Sequence, residues 1–162
     1  MSQQLEGMLA DDRGAFEQAC DSLLSSCRRH ARIFAPDLDQ QLLNRDAVSE
    51  QLVRLVRENR NARIQIMLND PESVVQSGHR LLYVARRLSS YISIRVSPIE
   101  LQDMEQCWLI ADEHALLWRP DFRYLRHGIR QYGGERVGQL QRLFDNHWDK
   151  ATTAPSLRQL HL

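Results

Sequence analysis

The sequence predicts a single α/β domain with a mixed, mainly parallel sheet and helices on both faces. Two observations support this prediction. Amphipathic helical segments alternate with short apolar segments along residues 12–96, the order that a parallel sheet with covering helices requires. Residues 104–120 then form two apolar runs separated by the polar turn Asp112-Glu113-His114, which is typical of an antiparallel hairpin.

Four helices are expected where apolar residues recur at helical spacing, at residues 12–29, 46–58, 78–88 and 135–148. Arg54, Arg57 and Arg60 lie outward at the end of the second helix, where cations suit the helix dipole. The apolar stripes consist, in chain order, of Phe16, Cys20, Leu23, Leu24 and Cys27; Val48, Leu52, Leu55 and Val56; Leu81, Leu82, Ala85 and Leu88; and Val137, Leu140, Phe144 and Trp148.

Three further strands are expected at residues 32–36, 62–68 and 91–96, so that the element order is αβαβαβββα. Turn-forming residues after Pro36 and Asn69 end the first two of these strands. The segment between the hairpin and the last helix is expected to be a loop. Any ligand is expected beyond the carboxyl ends of the parallel strands, near Asp37, Asp70 and the hairpin.

Length and composition indicate a globular protein. The 162 residues, 43% hydrophobic and 26% charged, suit one domain at residues 1–150 followed by a tail at 151–162 that packs on it. The apolar runs are too short to span a bilayer, and the first residues lack the features of a secretory signal. Three cysteines cannot all pair, which favours a reducing cytoplasm. The formal net charge of zero argues against nucleic acid as a partner.

The hairpin resembles the strand pair that carries the HxKxxxxD signature in the phospholipase D superfamily. The order βαβαβ, a hairpin, and a helix with Phe144 and Trp148 near its end is similar to one half of such an enzyme. More closely, residues 78–90, 144–149 and 157–162 resemble an uncharacterised bacterial family of phospholipase D-like domains, some of which follow an acetyltransferase domain. The resemblance implies the fold, and it implies a possible acetyltransferase-type partner protein.

The residues that the superfamily uses for catalysis are missing from this hairpin. If Asp112 is the Asp of the motif, the His position is Glu105 and the Lys position is Cys107. The only lysine is Lys150, and it follows Trp148 by two residues, so no H-x-K occurs. The sequence therefore predicts a non-catalytic phospholipase D-like domain that binds a ligand or a protein partner.

No cofactor and no metal are expected, because the histidines are scattered and neither HExxH nor CxxC occurs. Ligand-binding residues are instead sought in the hairpin and in the arginine-rich segment after it. The candidates are Glu105, Cys107, Asp112, Trp118, Arg119 and Arg123.

Two other functions remain open from the sequence. One is an enzyme of another class that uses Glu105, Asp112 or His114 as an acid or base. The other is an arginine-dependent nucleic-acid binder through residues 119–136, where five arginines alternate with aromatic residues. The alternative for that segment is a solvated loop whose guanidinium groups pair with the acidic residues of the first 27 positions.

A homodimer is expected because Trp108, Trp118 and Phe122 are too apolar to remain together in water. The competing expectation is that the tail at residues 157–162 covers this surface as an added edge strand, through Leu160 and Leu162, and keeps the protein monomeric.

Overall fold

The computed structural model describes residues 7–158, which fold into one six-stranded sheet covered by helices on both faces. The strands are β1 (His30–Phe34), β2 (Arg63–Leu68), β3 (Ile92–Val96), β4 (Cys107–Ala111), β5 (Ala115–Arg119) and β6 (Ile129–Tyr132). The helices are α1 (Arg13–Ser26), α2 (Asp46–Glu58), α3 (Pro71–Ser77), α4 (Arg80–Arg87), α5 (Glu135–Trp148) and α6 (Pro155–Arg158), with a short 3₁₀ turn at Ile99–Leu101.

The strands lie in the order β3-β2-β1-β4-β5-β6, which confirms the predicted mixed α/β sheet. The three strands that alternate with helices are neighbours and parallel, with Ile33 opposite Ile66 and Ile66 opposite Ile94. The hairpin continues the sheet with antiparallel pairings, and β6 adds one more. The first three strands are parallel because a helix connects each one to the next, and a helical crossover returns the chain to the same end of the sheet.

Two apolar clusters hold the helices on the sheet. Helices α1 to α4 pack on one face, where Ile33, Ile64 and Ile66 are fully buried. Helix α5 packs alone on the other face, where Phe34, Ile110 and Phe144 form a smaller cluster. Because successive residues of a strand point to opposite faces, Phe34 and Ile33 belong to different clusters. Both faces of β4 are therefore buried.

Three elements differ from the predicted ones. Strand β1 begins at His30, two residues early, since it pairs with Arg63 at the start of β2. Helix α3 follows the Asn69-Asp70-Pro71 stop directly, because the Asp70 carboxylate caps it through the Ser73 N–H and Gly78 ends it at φ 66°. Strand β6 lies in the expected loop, and its short, half-exposed sequence carries little β signal.

Of the three aromatic residues on which the expected homodimer depended, one is buried and the other two are half-buried. Trp108 is buried and stacks on Phe34 with ring centroids 4.6 Å apart. Trp118 is partly covered by the guanidinium of Arg136, 4.5 Å above its ring. These tryptophans contribute to the fold, so their apolar character does not require a second copy of the chain.

Part of the predicted tail is described. Thr152 forms a bridge to Val96 at the edge strand β3, and α6 follows. The expected edge strand through Leu160 and Leu162 lies outside the described residues. Among the helices of residues 7–158, none is long and apolar enough to cross a membrane.

Candidate ligand-binding site

The positions that correspond to the lost catalytic motif lie at the end of the sheet where β1, β2 and β3 terminate, which we call the carboxyl end. Cys107 begins β4 opposite Arg119 of β5, and burial raises the pKa of its thiol well above the usual value. Glu105 is exposed and lies 3.3 Å from the guanidinium of Arg123. Neither residue supplies the imidazole or ammonium group that phosphodiester cleavage in the superfamily requires.

Beside Cys107, a buried ion pair fills the space beneath the motif positions. Both carboxylate oxygens of Asp39 accept hydrogen bonds from Arg119, at 2.7 and 2.8 Å. Arg119 also donates to the carbonyl oxygens of Phe122 and Tyr124, at 2.9 Å each. Burial alone would lower the pKa of Arg119, but the hydrogen bonds and charge of Asp39 outweigh it and raise the pKa. Arg119 is therefore fully engaged within the protein.

The cavity next to this pair is too small for a substrate. Its volume is about 20 Å³, and Phe34, Asp39, Cys107 and Arg119 are among the residues that line it. A cavity of this size holds roughly one water molecule, whereas small-molecule sites usually exceed about 300 Å³. The cavity at the carboxyl end therefore holds no more than about one water molecule.

The remaining candidates at the carboxyl end also have partners. Trp118 donates its indole N–H to Gln106 at 2.8 Å. Arg123 binds both carboxylate oxygens of Asp121, at 2.8 and 2.7 Å. Five of the six predicted ligand residues therefore come together here, namely Glu105, Cys107, Trp118, Arg119 and Arg123, but they bind one another and their neighbours. The loop alternative expected these arginines to pair with the acidic first 27 positions, but among the described residues Arg119 pairs with Asp39, and Arg123 pairs with Asp121 and Glu105.

Asp112, the sixth predicted ligand residue, lies at the opposite end of β4. At φ 53° it turns the hairpin and accepts the backbone N–H groups of Arg28, Arg29 and His30, at 2.7, 2.7 and 3.0 Å. Burial would raise the pKa of this carboxyl, but the three backbone hydrogen bonds outweigh burial and lower the pKa. Since β4 separates Asp112 from Glu105, these two carboxylates do not form one acid–base site.

The end of the sheet where β1 and β2 begin, which we call the amino end, carries a cleft of about 220 Å³. Positive residues line one part of it and carboxylates another. Its lining consists of Arg29, His30, Asn61, Arg63, Asp112 and Glu113.

Four arginines lie at this end of the sheet without a carboxylate partner, and two of them, Arg29 and Arg63, line the cleft. Arg28 and Arg29 precede β1, and Arg60 and Arg63 precede or begin β2. The parallel register places these segments side by side, since the N–H of Arg63 donates to the carbonyl of Arg29 at 2.9 Å. Within residues 7–158, none of the four guanidinium groups forms an ion pair.

A polar network supports the floor of the cleft. One orientation of the Gln65 amide satisfies three neighbours: its nitrogen donates to His30 Nε2 at 2.6 Å, and its oxygen accepts from Trp148 and Arg63 at 2.9 and 3.1 Å. In that arrangement the proton of His30 is on Nδ1. Burial lowers the pKa of His30, and the nearby charges of Arg32 and Arg63 lower it further. The imidazole is therefore neutral at pH 7.

The aromatic residues of the 119–136 segment divide between the two ends. Tyr124 lies 4.2 Å below the guanidinium of Arg126, near the carboxyl end. Tyr132, 63% exposed, lies 5.7 Å from Arg130 at the end of β6. The next residue, Gly133, donates its N–H to the carbonyl of His114 in the hairpin turn. Tyr132 therefore borders the amino end.

The sequence also contains a pattern of arginines that indicates the amino-end cleft and that belongs to no motif. Arginines occur immediately before or at the start of two parallel strands, at 28–29 and at 60 and 63. The first residues of neighbouring parallel strands lie at the same edge of a sheet, so these arginines lie at one edge. No metal site accompanies them: among the described residues, no group of three His, Cys, Asp or Glu side chains is placed to hold an ion.

Three solved structures share this fold at low sequence identity. TrmBL2, an archaeal chromatin protein whose structure shows a novel mode of DNA binding, is 13% identical with a TM-score of 0.63, over 93% of this chain and 55% of TrmBL2. NucT from Helicobacter pylori is 12% identical with a TM-score of 0.56, over 91% and 96%. Phosphatidylserine synthase of Haemophilus influenzae Rd KW20 is 12% identical with a TM-score of 0.58, over 88% and 37%.

These similarities confirm the phospholipase D-like fold, because NucT and the phosphatidylserine synthase have folds of that superfamily. The chain spans about half of TrmBL2 and little more than a third of the synthase. The expectation that nucleic acid is an unlikely partner is contradicted, since one of these similar structures, TrmBL2, is a chromatin protein described with a mode of DNA binding. The net charge is a poor guide here because a total of zero is compatible with a local group of exposed arginines, such as the one at the amino end.

Comparison with curated proteins finds no match. A family model, by contrast, matches residues 12–160, which is nearly the whole chain. The chain belongs to the family described as a domain of unknown function, DUF7931.

Proposed function

We propose that this chain is a non-catalytic phospholipase D-like domain that binds nucleic acid through its amino end. The superfamily cleaves phosphodiesters with a histidine nucleophile and with lysines that stabilise the developing charge. Here the corresponding positions hold Glu105, which repels a phosphodiester, and Cys107, whose thiol is buried and protonated. We therefore propose that the chain keeps the fold and binds nucleic acid without cleaving it.

The observation that carries the proposal is the group of four guanidinium groups at the amino end. Arg29 and Arg63 line one cleft, Arg28 and Arg60 lie near them in the chain, and none of the four forms an ion pair within the described part of the chain. Guanidinium binds phosphate through two parallel hydrogen bonds, and several together provide the sequence-independent affinity of a nucleic-acid surface. The exposed ring of Tyr132 near this end would stack on a base.

The distribution of charge agrees with this assignment despite the net charge of zero. At the carboxyl end, Asp37, Asp70, Glu105 and Asp121 lie near the ends of the parallel strands, and Arg123 is neutralised there by Glu105 and Asp121. Local potential depends on the arrangement of charges over the surface and not on their sum. A polyanion would therefore approach the amino end and avoid the carboxyl end. The DNA-binding description of TrmBL2 supports the ligand class.

A salt titration tests the proposal. Binding of fluorescein-labelled 30-mer duplex and single-stranded DNA would be followed by anisotropy over a range of potassium chloride concentrations. Four phosphate contacts predict a slope of log K against log salt of about −3.6 for duplex and about −2.8 for single strands. Absence of binding, or affinity that does not change with salt, would overturn the proposal.

A phosphodiesterase assay tests the non-catalytic part separately. We expect no turnover of bis-p-nitrophenyl phosphate by the full-length protein, with or without added divalent cations. Turnover that disappears in Glu105→Ala but persists in Glu113→Gly, a change of the same charge at the opposite end, would show that the carboxyl end is an active site after all.

A further inference from the structure

We propose that the amino-end cleft is a subsite for one phosphorylated ribose unit, with the phosphate on Arg29 and Arg63 and a sugar hydroxyl on Glu113. This proposal rests on the proposed function and deepens it, because it predicts that the protein distinguishes RNA from DNA. Its basis is the pairing of a cationic wall and an anionic wall in one small cleft.

The cationic wall is held rigidly by backbone structure. His30 and Arg63 are register partners in the parallel pair β1–β2, and the N–H of Arg63 donates to the carbonyl of Arg29. Asn61 contributes an amide between them. The side chains of Arg29 and Arg63 are exposed, so their guanidinium groups reach solvent from fixed backbone positions. Two guanidinium groups and an amide are suitable donors for the oxygens of one phosphate.

The anionic wall is the hairpin turn, and its two carboxylates differ in availability. Asp112 already accepts three backbone N–H groups. Glu113 follows at φ 69° and is exposed, and within residues 7–158 its carboxylate forms no ion pair. Glu113 and the two arginines therefore line the same cleft with opposite charges that do not meet.

A ligand that fills this cleft must satisfy both walls. A phosphate alone would be attracted by the arginines and repelled by Glu113. A ligand that carries a phosphate and a hydrogen-bond donor a few ångströms away avoids this conflict, because the carboxylate accepts the donor. The 2′-hydroxyl of ribose is such a donor, and it is the group by which proteins distinguish RNA from DNA.

The size of the cleft and the state of His30 agree with this ligand. A volume of about 220 Å³ is below the range of roughly 300–1,000 Å³ usual for sites that enclose drug-sized molecules, so a sugar and phosphate fit while the base remains outside. With Nε2 of His30 accepting from Gln65, its Nδ1–H is a further donor at the cleft. The site reads the backbone of the nucleic acid and not its sequence.

The decisive experiment compares adenosine 5′-monophosphate with its 2′-deoxy analogue, titrated into ¹⁵N-labelled protein and followed by NMR shifts of the His30 and Asn61 amides. We expect the ribonucleotide to bind about tenfold more tightly or better, since a hydrogen bond to a charged group contributes that much. Equal affinities, or no binding of either nucleotide, overturn the inference.

Two variants test which residues cause the preference for the ribonucleotide over the deoxyribonucleotide. Glu113→Gly is compatible with φ 69° and removes only the carboxylate, so it should bring the two affinities together. Arg29→Gln should weaken both nucleotides by the same factor. Glu50→Gln, an exposed change on α2, is the control and should alter neither. A tenfold preference that persists in Glu113→Gly would refute the role of Glu113.

Polymer binding separates the two proposals. Salt-dependent binding of DNA and RNA with equal affinity would leave the proposed function in place and refute the ribose subsite. Discrimination between the mononucleotides without any polymer binding would confirm the subsite and refute the proposed function.

Discussion

Asp39 and Arg119 form a buried, doubly hydrogen-bonded ion pair beneath the positions where the superfamily has its catalytic His and Lys. The side chains are 8% and 3% exposed, and the two contacts are 2.7 and 2.8 Å long. Cys107 packs beside the pair, opposite Arg119 in the sheet. The small cavity beside Cys107 is thus bordered by a structural ion pair.

Removing one member of this pair should destabilise the protein strongly. Asp39→Asn leaves a buried guanidinium without its counter-charge, and such changes cost about 3–5 kcal/mol in the free energy of unfolding. Urea denaturation would measure the cost. The double variant Asp39→Asn/Arg119→Met should recover much of the stability, because no unpaired charge is then buried. A single variant that loses less than about 1 kcal/mol would contradict this structural role.

Asp112 should be a structural residue of the hairpin and not a ligand. Asp112→Asn tolerates φ 53° but weakens the three hydrogen bonds from residues 28–30, so we expect a loss of about 1–3 kcal/mol in unfolding free energy. Glu113→Gln at the next, exposed position is the matched control and should change stability by less than about 0.5 kcal/mol. Equal effects of the two changes on stability would refute a structural role of the Asp112 hydrogen bonds.

His79 should make the protein less stable in weak acid. Its ring is fully buried, donates from Nε2 to the Leu38 carbonyl and accepts the Leu81 N–H at Nδ1, and burial lowers its pKa to about 4. Between pH 6.5 and about 4 the unfolded chain takes up a proton that the folded chain does not.

This difference removes stability as the pH falls, by a total of about 3 kcal/mol. Denaturation midpoints of the wild type and of His79→Asn, measured from pH 7 to 4, would isolate the contribution. The variant retains a capping side chain but has no imidazole, so its stability should fall less over that interval. Parallel pH profiles would contradict the assignment.

The same substitution should have opposite effects at two glycines. A Cβ at Gly128 would lie 2.4 Å from the buried ring of Phe16, so Gly128→Ala should cost about 1–3 kcal/mol. A Cβ at Gly138, within α5, would meet only the flexible end of Arg142 at 3.2 Å. Gly138→Ala should therefore stabilise the helix by about 0.5–1 kcal/mol. Thermal unfolding of both variants distinguishes these signs, and a stabilising Gly128→Ala would refute the close packing.

The regular helices and strands of the fold were predictable because the hydrophobic periodicity that indicates them is local in sequence. Helix α2 and strand β2 follow from periodicity at 46–58 and 62–68, and their boundaries agree within a residue. Strand β6 was not predictable, since Arg130 and Gln131 are polar and only the neighbouring β5 makes this segment extended. Tertiary pairing there outweighs intrinsic preference.

The candidate site at the amino end was harder to predict, because the motif positions lie at the opposite end of the sheet. The sequence predicts Glu105 and Cys107 at the motif positions, but the surroundings of Cys107 depend on Asp39, which is distant in sequence. Arg60 was interpreted only as a cation at a helix end. The proximity of Arg63 to Arg29 depends on the register of β1 and β2, which no local pattern contains.

The measurement that tests the account most directly is a comparison of two double charge reversals in the same DNA-binding titration. Arg29→Glu/Arg63→Glu changes the amino end, and Arg123→Glu/Arg126→Glu makes the same change of charge near the carboxyl end. Both variants should first be shown to be folded by circular dichroism.

We predict that the amino-end variant loses affinity at least tenfold and that its salt slope becomes shallower by about two units, while the other variant binds like the wild type. An unchanged amino-end variant, or a larger loss in Arg123→Glu/Arg126→Glu, would contradict the account and place the nucleic-acid surface in residues 119–136.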